Sequence, residues 1–263
     1  MKELKIAVSG KGGVGKTSVA GVLAEFLAKK AFKVLAIDAD PAPNLALTLG
    51  IPPEEADKIV PISERKELLA SKTDTGFSGV YRLSFSVDDI VEKFTVKSPY
   101  GVNLLVMGTV KSADQGCTCP ANAVIRALLR HLLVARDEAV VMDTEAGVEH
   151  MGRGTARHVD TMLIVADPGV KSLETAKKIY RLADEVGIQR ILLVGNKVAD
   201  SRGEQVIREF ATDNGISLPA LIPYDDMLLK ADMLGETPLK HPDSKSIVAI
   251  RELGKGLLDN IPH

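Results

Sequence analysis

The chain has no tryptophan, and aromatic residues make up only 4% of its 263 positions. Single-stranded nucleic acid is bound largely by stacking bases on such rings, and few are on offer here. Basic charge is not in surplus either: 33 Lys and Arg against 35 Asp and Glu give a net charge of −2. A phosphate backbone needs a concentrated basic face, so a nucleic-acid partner is not expected. No stretch approaches the roughly 18 apolar residues of a membrane span, which excludes a transmembrane helix. The first apolar strand begins within a few residues of Met1, so no secretory leader is expected. The two cysteines, Cys117 and Cys119, are separated by one residue. That is no disulfide framework, and it suits a reducing cytoplasm.

What the chain does have is a core and a loop. Hydrophobic residues make up 45%, enough for a large α/β domain. Residues 10–17 read Gly10-Lys11-Gly12-Gly13-Val14-Gly15-Lys16-Thr17, matching the phosphate-binding pattern G-x-x-x-x-G-K-[ST] with an added lysine at Lys11. A strand-like run precedes it and a helix-like run follows, the context the motif requires. The glycines let backbone N–H groups wrap anionic oxygens, and the helix beyond adds its positive dipole end. Lys16 then belongs on the β- and γ-phosphates, and the Thr17 hydroxyl on Mg²⁺. Val14 and Ser18 complete the expected nucleotide contacts of this segment. The chain is expected to bind a nucleoside triphosphate.

Apolar runs at 4–9, 33–38, 102–107, 139–143, 161–166, 190–196 and 218–222 read as strands. Segments of helical period lie at 17–30, 122–136, 171–186, 204–212 and 246–258. Continuous apolar strands alternating with amphipathic helices indicate an α/β fold with a mostly parallel sheet of about seven or eight strands and helices on both faces. The expected organisation is one P-loop NTPase domain over residues 1–263. Residues 51–100 do not follow the alternation and read as an insertion with one or two short helices, a lid or a partner-binding surface. The charged run Glu64-Arg65-Lys66-Glu67 within it reads, on its own, as a solvated helix face.

Ligands of parallel sheets bind at the carboxyl ends of the strands. Asp38 and Asp40 end the second strand: Asp40 is the candidate to orient an attacking water, and Asp38 is structural or serves Mg²⁺. Asp143 ends another apolar strand, where a P-loop enzyme places a Mg²⁺-side aspartate. Gly147 fits both a switch glycine whose amide meets the γ-phosphate and a plain helix-entry turn. Asn196, followed by Lys197, suits the adenine edge by donor and acceptor together, and Pro223-Tyr224-Asp225 offers a second base wall. His131, His150, His158, His241 and His263 show no ligand spacing.

Pro120 suits the first turn of a helix, which places Cys119 near a helix N-terminus where thiolate is favoured. One chain offers only two soft ligands, while a closed site takes about four. A symmetric dimer would supply both cysteines twice. A packed pair with no metal role fits the same spacing.

The loop with its extra Lys11 resembles the deviant Walker A family, which includes MinD, ParA, the nitrogenase iron protein and arsenite-pump ATPases. The resemblance covers nearly the whole chain. It implies that Lys11 reaches across a dimer interface, that Asp38-Ala39-Asp40-Pro41 and Asp143-Thr144-Glu145-Ala146-Gly147 are the two switches, and that Asn196-Lys197 contacts adenine. Cys117 and Cys119, together with Glu149-His150 and Arg153-Gly154-Thr155-Ala156, are most similar to the CooC-type accessory ATPases. Those mature the nickel cluster of carbon monoxide dehydrogenase, and a close relative serves acetyl-CoA synthase. The resemblance implies ATP/ADP, Mg²⁺, Ni²⁺ or Zn²⁺ at Cys117 and Cys119, a homodimer formed with nucleotide or metal, and one of these nickel enzymes as client. The alternative is a MinD- or ParA-like switch that docks partners without metal. Against it, Ile247, Val248, Ile250, Leu253, Leu257 and Leu258 read as a helix docked on the core rather than a basic membrane tail.

Overall fold

Strands that are apolar along their whole length must be covered on both faces, and that requirement organises this protein. A computed structural model describes residues 4–74, 88–108, 120–134, 138–145 and 156–259. Its strands are β1 (Leu4–Gly10), β2 (Val34–Ala39), β3 (Val96–Lys97), β4 (Asn103–Val106), β5 (Ala139–Thr144), β6 (Thr161–Ala166), β7 (Arg190–Val198) and β8 (Ser217–Pro223). They form one sheet in the order β3-β4-β2-β5-β1-β6-β7-β8, parallel except for β3, which runs antiparallel to β4. The sheet belongs to an α/β domain, as expected. All seven anticipated strands are present. The eighth, β3, is two residues long, too short to leave a periodic signal.

The described helices are α1 (Lys16–Lys29), α2 (Leu45–Thr48), α3 (Pro53–Ala56), α4 (Lys66–Thr73), α5 (Asp88–Phe94), α6 (Pro120–Val134), α7 (Val170–Glu185), α8 (Ser201–Asp213), α9 (Asp226–Met233) and α10 (Lys245–Asp259). Alternation along the strands sends Val8, Ala36, Val141 and Val165 to one face, against α1 and α10. Ile37, Val140, Met142 and Ile164 go to the other, against α6, α7 and α8. Residues 51–100 carry α3, α4, α5, β3 and a 3₁₀ turn at Ile62–Glu64, more helix than expected. Leu69 of α4 and Ile90 of α5 join the core beneath α6.

The last helix needs a correction. Ile247, Ile250, Leu253 and Leu257 of α10 are buried, but Val248 is 45% exposed and Leu258 only half-buried. A period of 3.6 turns position 248 away from the face that holds 247 and 250. Arg251 fixes that face with Nη2 bonds of 3.1 and 3.2 Å to both oxygens of Glu25 on α1, a carboxylate with no exposure. Lys29 pairs with the same carboxylate.

Candidate functional site

The parallel strands bring Gly10, Asp38, Asp143, Asp167 and Asn196 to one rim of the sheet. β1 is central, with β5 on one side and β6 on the other, and the chain leaving it forms the loop at residues 10–15. Gly10 has to be glycine: a Cβ there would lie 2.2 Å from the Val165 carbonyl oxygen. Gly15 adopts φ +94°, and a Cβ would come within 2.4 Å of Asn196 Nδ2. α1 starts at the next residue, so its free N–H groups open directly onto the loop.

The two lysines of the loop differ in exposure. Lys16 is buried, its Nζ 3.5 Å from the Lys11 carbonyl oxygen and 4.0 Å from Asp40 Oδ2. Lys11 is exposed, as are Gly12 and Gly13. Lys16 therefore faces into the site and Lys11 lies at its open edge.

The carboxylates behind Lys16 differ in their surroundings. Asp38 accepts hydrogen bonds from the backbone N–H of Leu45 (2.9 Å) and of Asp40 (3.2 Å), so its oxygens hold the turn after β2. Burial still raises its pKa to about 6. Asp143 lies opposite both Asp38 and Val8 in the strand register. Both of its oxygens are buried and accept no hydrogen bond. Burial raises its pKa to about 7, with repulsion from Asp38 adding to the rise; the nearby Thr17 hydroxyl and Lys16 hold it back. The Thr17 hydroxyl is close to Asp143 without meeting hydrogen-bond geometry. Two orphaned carboxylate oxygens beside a hydroxyl and a phosphate loop fit a hydrated Mg²⁺. Among the described residues no three His, Cys, Asp or Glu side chains gather as a metal cage. That also suits Mg²⁺, which takes few protein ligands and completes its shell with phosphate and water.

Asp40 is half-buried, with Oδ1 accepting from the Ala42 N–H at 2.9 Å. Two bonds close the opposite wall: the Ser9 hydroxyl donates to the Glu145 carbonyl (2.9 Å) and the Thr144 hydroxyl to the Val8 carbonyl (3.1 Å). They tie the start of the second switch candidate to the end of β1, just before the phosphate loop.

Beside the loop opens a cavity of about 330 Å³. Gly15, Ser18, Asn196, Lys197, Pro223 and Tyr224 are all on its wall, so the residues assigned to the base from sequence are together in space. Asn196 Nδ2 donates to the Val14 carbonyl (2.7 Å) and Lys197 Nζ to the Gly13 carbonyl (2.7 Å). Lys197 holds φ +56°, a left-handed backbone that a lysine rarely adopts. The far wall was not anticipated: Leu228, Leu229 and Asp232 of α9, with Glu236 beyond it. Only Ala231 of α9 is buried while Met227, Leu229 and Met233 are exposed, so no apolar stripe announces the helix.

Cys117, Cys119, Gly147 and His150 lie outside the described residues. Pro120, which follows the cysteine pair, does open α6. No helix among the described residues is long and apolar enough to cross a membrane.

The family model described as the CobQ/CobB/MinD/ParA nucleotide binding domain matches residues 5–239. The carbon monoxide dehydrogenase accessory protein CooC of Rhodospirillum rubrum is 44% identical, covering 88% of this chain and 88% of its own. An uncharacterized ATP-binding protein of Methanocaldococcus jannaschii is 40% identical, covering 95% and 96%. Among solved structures, the septum site-determining protein MinD of Pyrococcus horikoshii, complexed with Mg-ADP, superimposes with a TM-score of 0.69. It is 21% identical and the match covers 98% and 97% of the two chains.

Proposed function

Because this chain belongs to the CobQ/CobB/MinD/ParA family of nucleotide-binding domains and is a P-loop ATPase, we propose that it is the nucleotide-driven accessory factor that loads nickel into carbon monoxide dehydrogenase or the related acetyl-CoA synthase. The burial of Lys16 and exposure of Lys11 support the nucleotide-driven dimer in this reading. Lys16 turns inward, toward the phosphates of its own subunit's ATP. Lys11 turns outward, where it meets the nucleotide of a second copy and neutralises phosphate charge in trans, as an arginine finger does.

The amides of residues 10–17 and the start of α1 hold the β- and γ-phosphates. Thr17 and Asp143 are the residues that would hold Mg²⁺, with Asp38 behind them; when bound, the ion supplies positive charge against the phosphate oxygens. Asp40 orients a water in line with the γ-phosphate. The water oxygen bonds to phosphorus as the bond to the ADP oxygen breaks, and the water proton leaves with the phosphate. Asn196, Pro223 and Tyr224 position the base. Closure of two subunits around two nucleotides brings Cys117 and Cys119 from each into a four-thiolate site for Ni²⁺, the cargo. Hydrolysis loosens the switch segments near Asp40 and Gly147 and releases the ion. The 44% identity to a protein named for this accessory role supports the choice of client. The empty-handed cycle should be slow, since its output is a conformational change.

The test is metal stoichiometry by chelator competition for Ni²⁺ and Zn²⁺, on wild type and Cys117→Ser/Cys119→Ser, with oligomeric state measured alongside. One metal per two chains, lost in the double variant and coupled to dimer formation, is expected. Metal binding indifferent to both cysteines would overturn the nickel role and leave a nucleotide-switched docking protein.

A further inference from the structure

Two hydrogen-bond acceptors at the cavity, the Asp225 carboxylate and the Pro223 carbonyl, are engaged by two serines of α10 and its lead-in. Asp225 follows β8 and lines the cavity together with Asn196 and Pro223. Its Oδ1 accepts from the Met227 N–H (3.0 Å), capping α9. Its Oδ2 accepts from the Ser244 hydroxyl at 2.7 Å and from the Ser246 N–H at 3.3 Å. The Ser246 hydroxyl, in turn, donates to the Pro223 carbonyl at 2.7 Å. The Tyr224 N–H is bound to the Val198 carbonyl (2.9 Å), so the backbone between them is fixed as well. On the other side, Asn196 spends an amide hydrogen on Val14, which leaves its carbonyl oxygen as the group able to accept.

The purine bases differ in what they ask of such a wall. The Watson–Crick edge of guanine presents donors at N1 and N2 and an acceptor at O6. Adenine presents an acceptor at N1 and a donor at N6. Guanine therefore needs free acceptors for its N1 and N2 donors. Adenine needs one acceptor, which Asn196 retains. A free carboxylate in this cavity would favour guanine, because two donors could be met by one acceptor-only group. Here three donors already occupy that carboxylate, two of them on Oδ2.

We infer that Ser244 and Ser246 are specificity-determining positioning residues: by occupying Asp225 Oδ2 and engaging the Pro223 carbonyl they withhold from guanine acceptors it would need. Ser246 lines the cavity while Ser244 is buried, and both act through the groups they hold. The inference rests on the reading of this cavity as the ATP base site. It also explains why Asp225, exposed to a ligand cavity, is tied down by three donors from two other elements. The physical basis is that an unmet buried donor costs far more than a missing contact, so discrimination follows from which acceptors are free.

The experiment compares kcat/KM for ATP and GTP in wild type, Ser244→Ala, Ser246→Ala and the double variant. The expected result is a fall in the ATP-over-GTP ratio of roughly tenfold in the double variant, arising in KM rather than kcat, as release of a hydrogen-bond acceptor implies. Ser244→Thr, which restores the hydroxyl, should return the ratio to the wild-type value. A purely structural role would depress both substrates equally and leave the ratio unchanged, and that outcome overturns the inference. If the double variant does not fold, Ser244→Ala alone decides, since its hydroxyl makes the shortest bond to Asp225. A wild type that uses GTP as well as ATP would refute the ATP reading itself, and with it the proposed discrimination. A preference for ATP that survives both substitutions would refute the serines' role alone.

Discussion

Asp38 and Asp143 stand directly opposite each other on the adjacent parallel strands β2 and β5, both fully buried, and the Asp38 charge adds to Asp143's cost of ionising. Parallel register sends paired residues to the same face, so two carboxylates share one low-dielectric space at the rim.

That pairing gives a pH dependence. Both folded pKa values, about 6 for Asp38 and about 7 for Asp143, lie above the ordinary 3.8. Between 3.8 and about 7 the folded state thus holds more protons than the unfolded one. Stability contributed by the pair is present at the acid side of this window and is lost as pH rises through it. Thermal melts of the nucleotide-free protein from pH 5 to pH 8 should show this decline, and Asp143→Asn should flatten it. An unfolding temperature that climbs across the window in wild type, with no change on substitution, would speak against the shared site.

The two lysines separate binding from assembly. Lys16→Ala should weaken ATP binding about a hundredfold or more, because removing a buried partner of phosphate charge costs roughly 2–5 kcal/mol. Lys11→Ala should bind ATP within a few-fold of wild type while losing nucleotide-dependent dimer formation and turnover. Calorimetry and analytical ultracentrifugation read the two effects. Intact dimerisation in Lys11→Ala would refute the trans role.

Gly15 links the phosphate loop to the base wall. Gly15→Ala forces a Cβ against Asn196 Nδ2 on a backbone at φ +94°. The substitution should displace the Asn196–Val14 bond, lowering stability by about 1–3 kcal/mol through backbone strain and impairing nucleotide binding together. Normal affinity in a folded Gly15→Ala protein would show that this contact is not needed.

Arg251 tests the seam between α1 and α10. Arg251→Ala leaves Glu25 buried with Lys29 as its remaining partner. The expected loss is about 3 kcal/mol, the low end for breaking a buried ion pair, read as a lower denaturant midpoint. Arg251→Lys should recover only part, since it cannot bridge both carboxylate oxygens. A loss below about 1 kcal/mol would place the pair among surface salt bridges in effect.

Much of this was legible in the residues. Strands buried on both faces leave continuous apolar runs, so β1, β2 and β4 to β7 could be read directly, the half-buried edge strand β8 kept enough apolar residues to be read as well, and the phosphate loop declared itself by glycine spacing. Elements that bury little escaped: β3 by its length, and α9 because exposed Met227, Leu229 and Met233 spoil its period. Val248 was placed inward because an apolar residue in an amphipathic helix reads as core until the helix is docked.

The sequence by itself determined which local shapes form and what chemistry they carry: glycines that must wrap, a lysine and a threonine at the head of a helix, carboxylates at strand ends. Those depend on near neighbours and on backbone sterics. Only the tertiary structure decided that Lys11 faces out while Lys16 faces in, that Asp143 is orphaned while Asp38 is not, and that Ser244 and Ser246 close over Asp225. Each of these depends on strand order and helix docking, which bring together residues far apart in the chain, and no local pattern encodes which buried group will find a partner there.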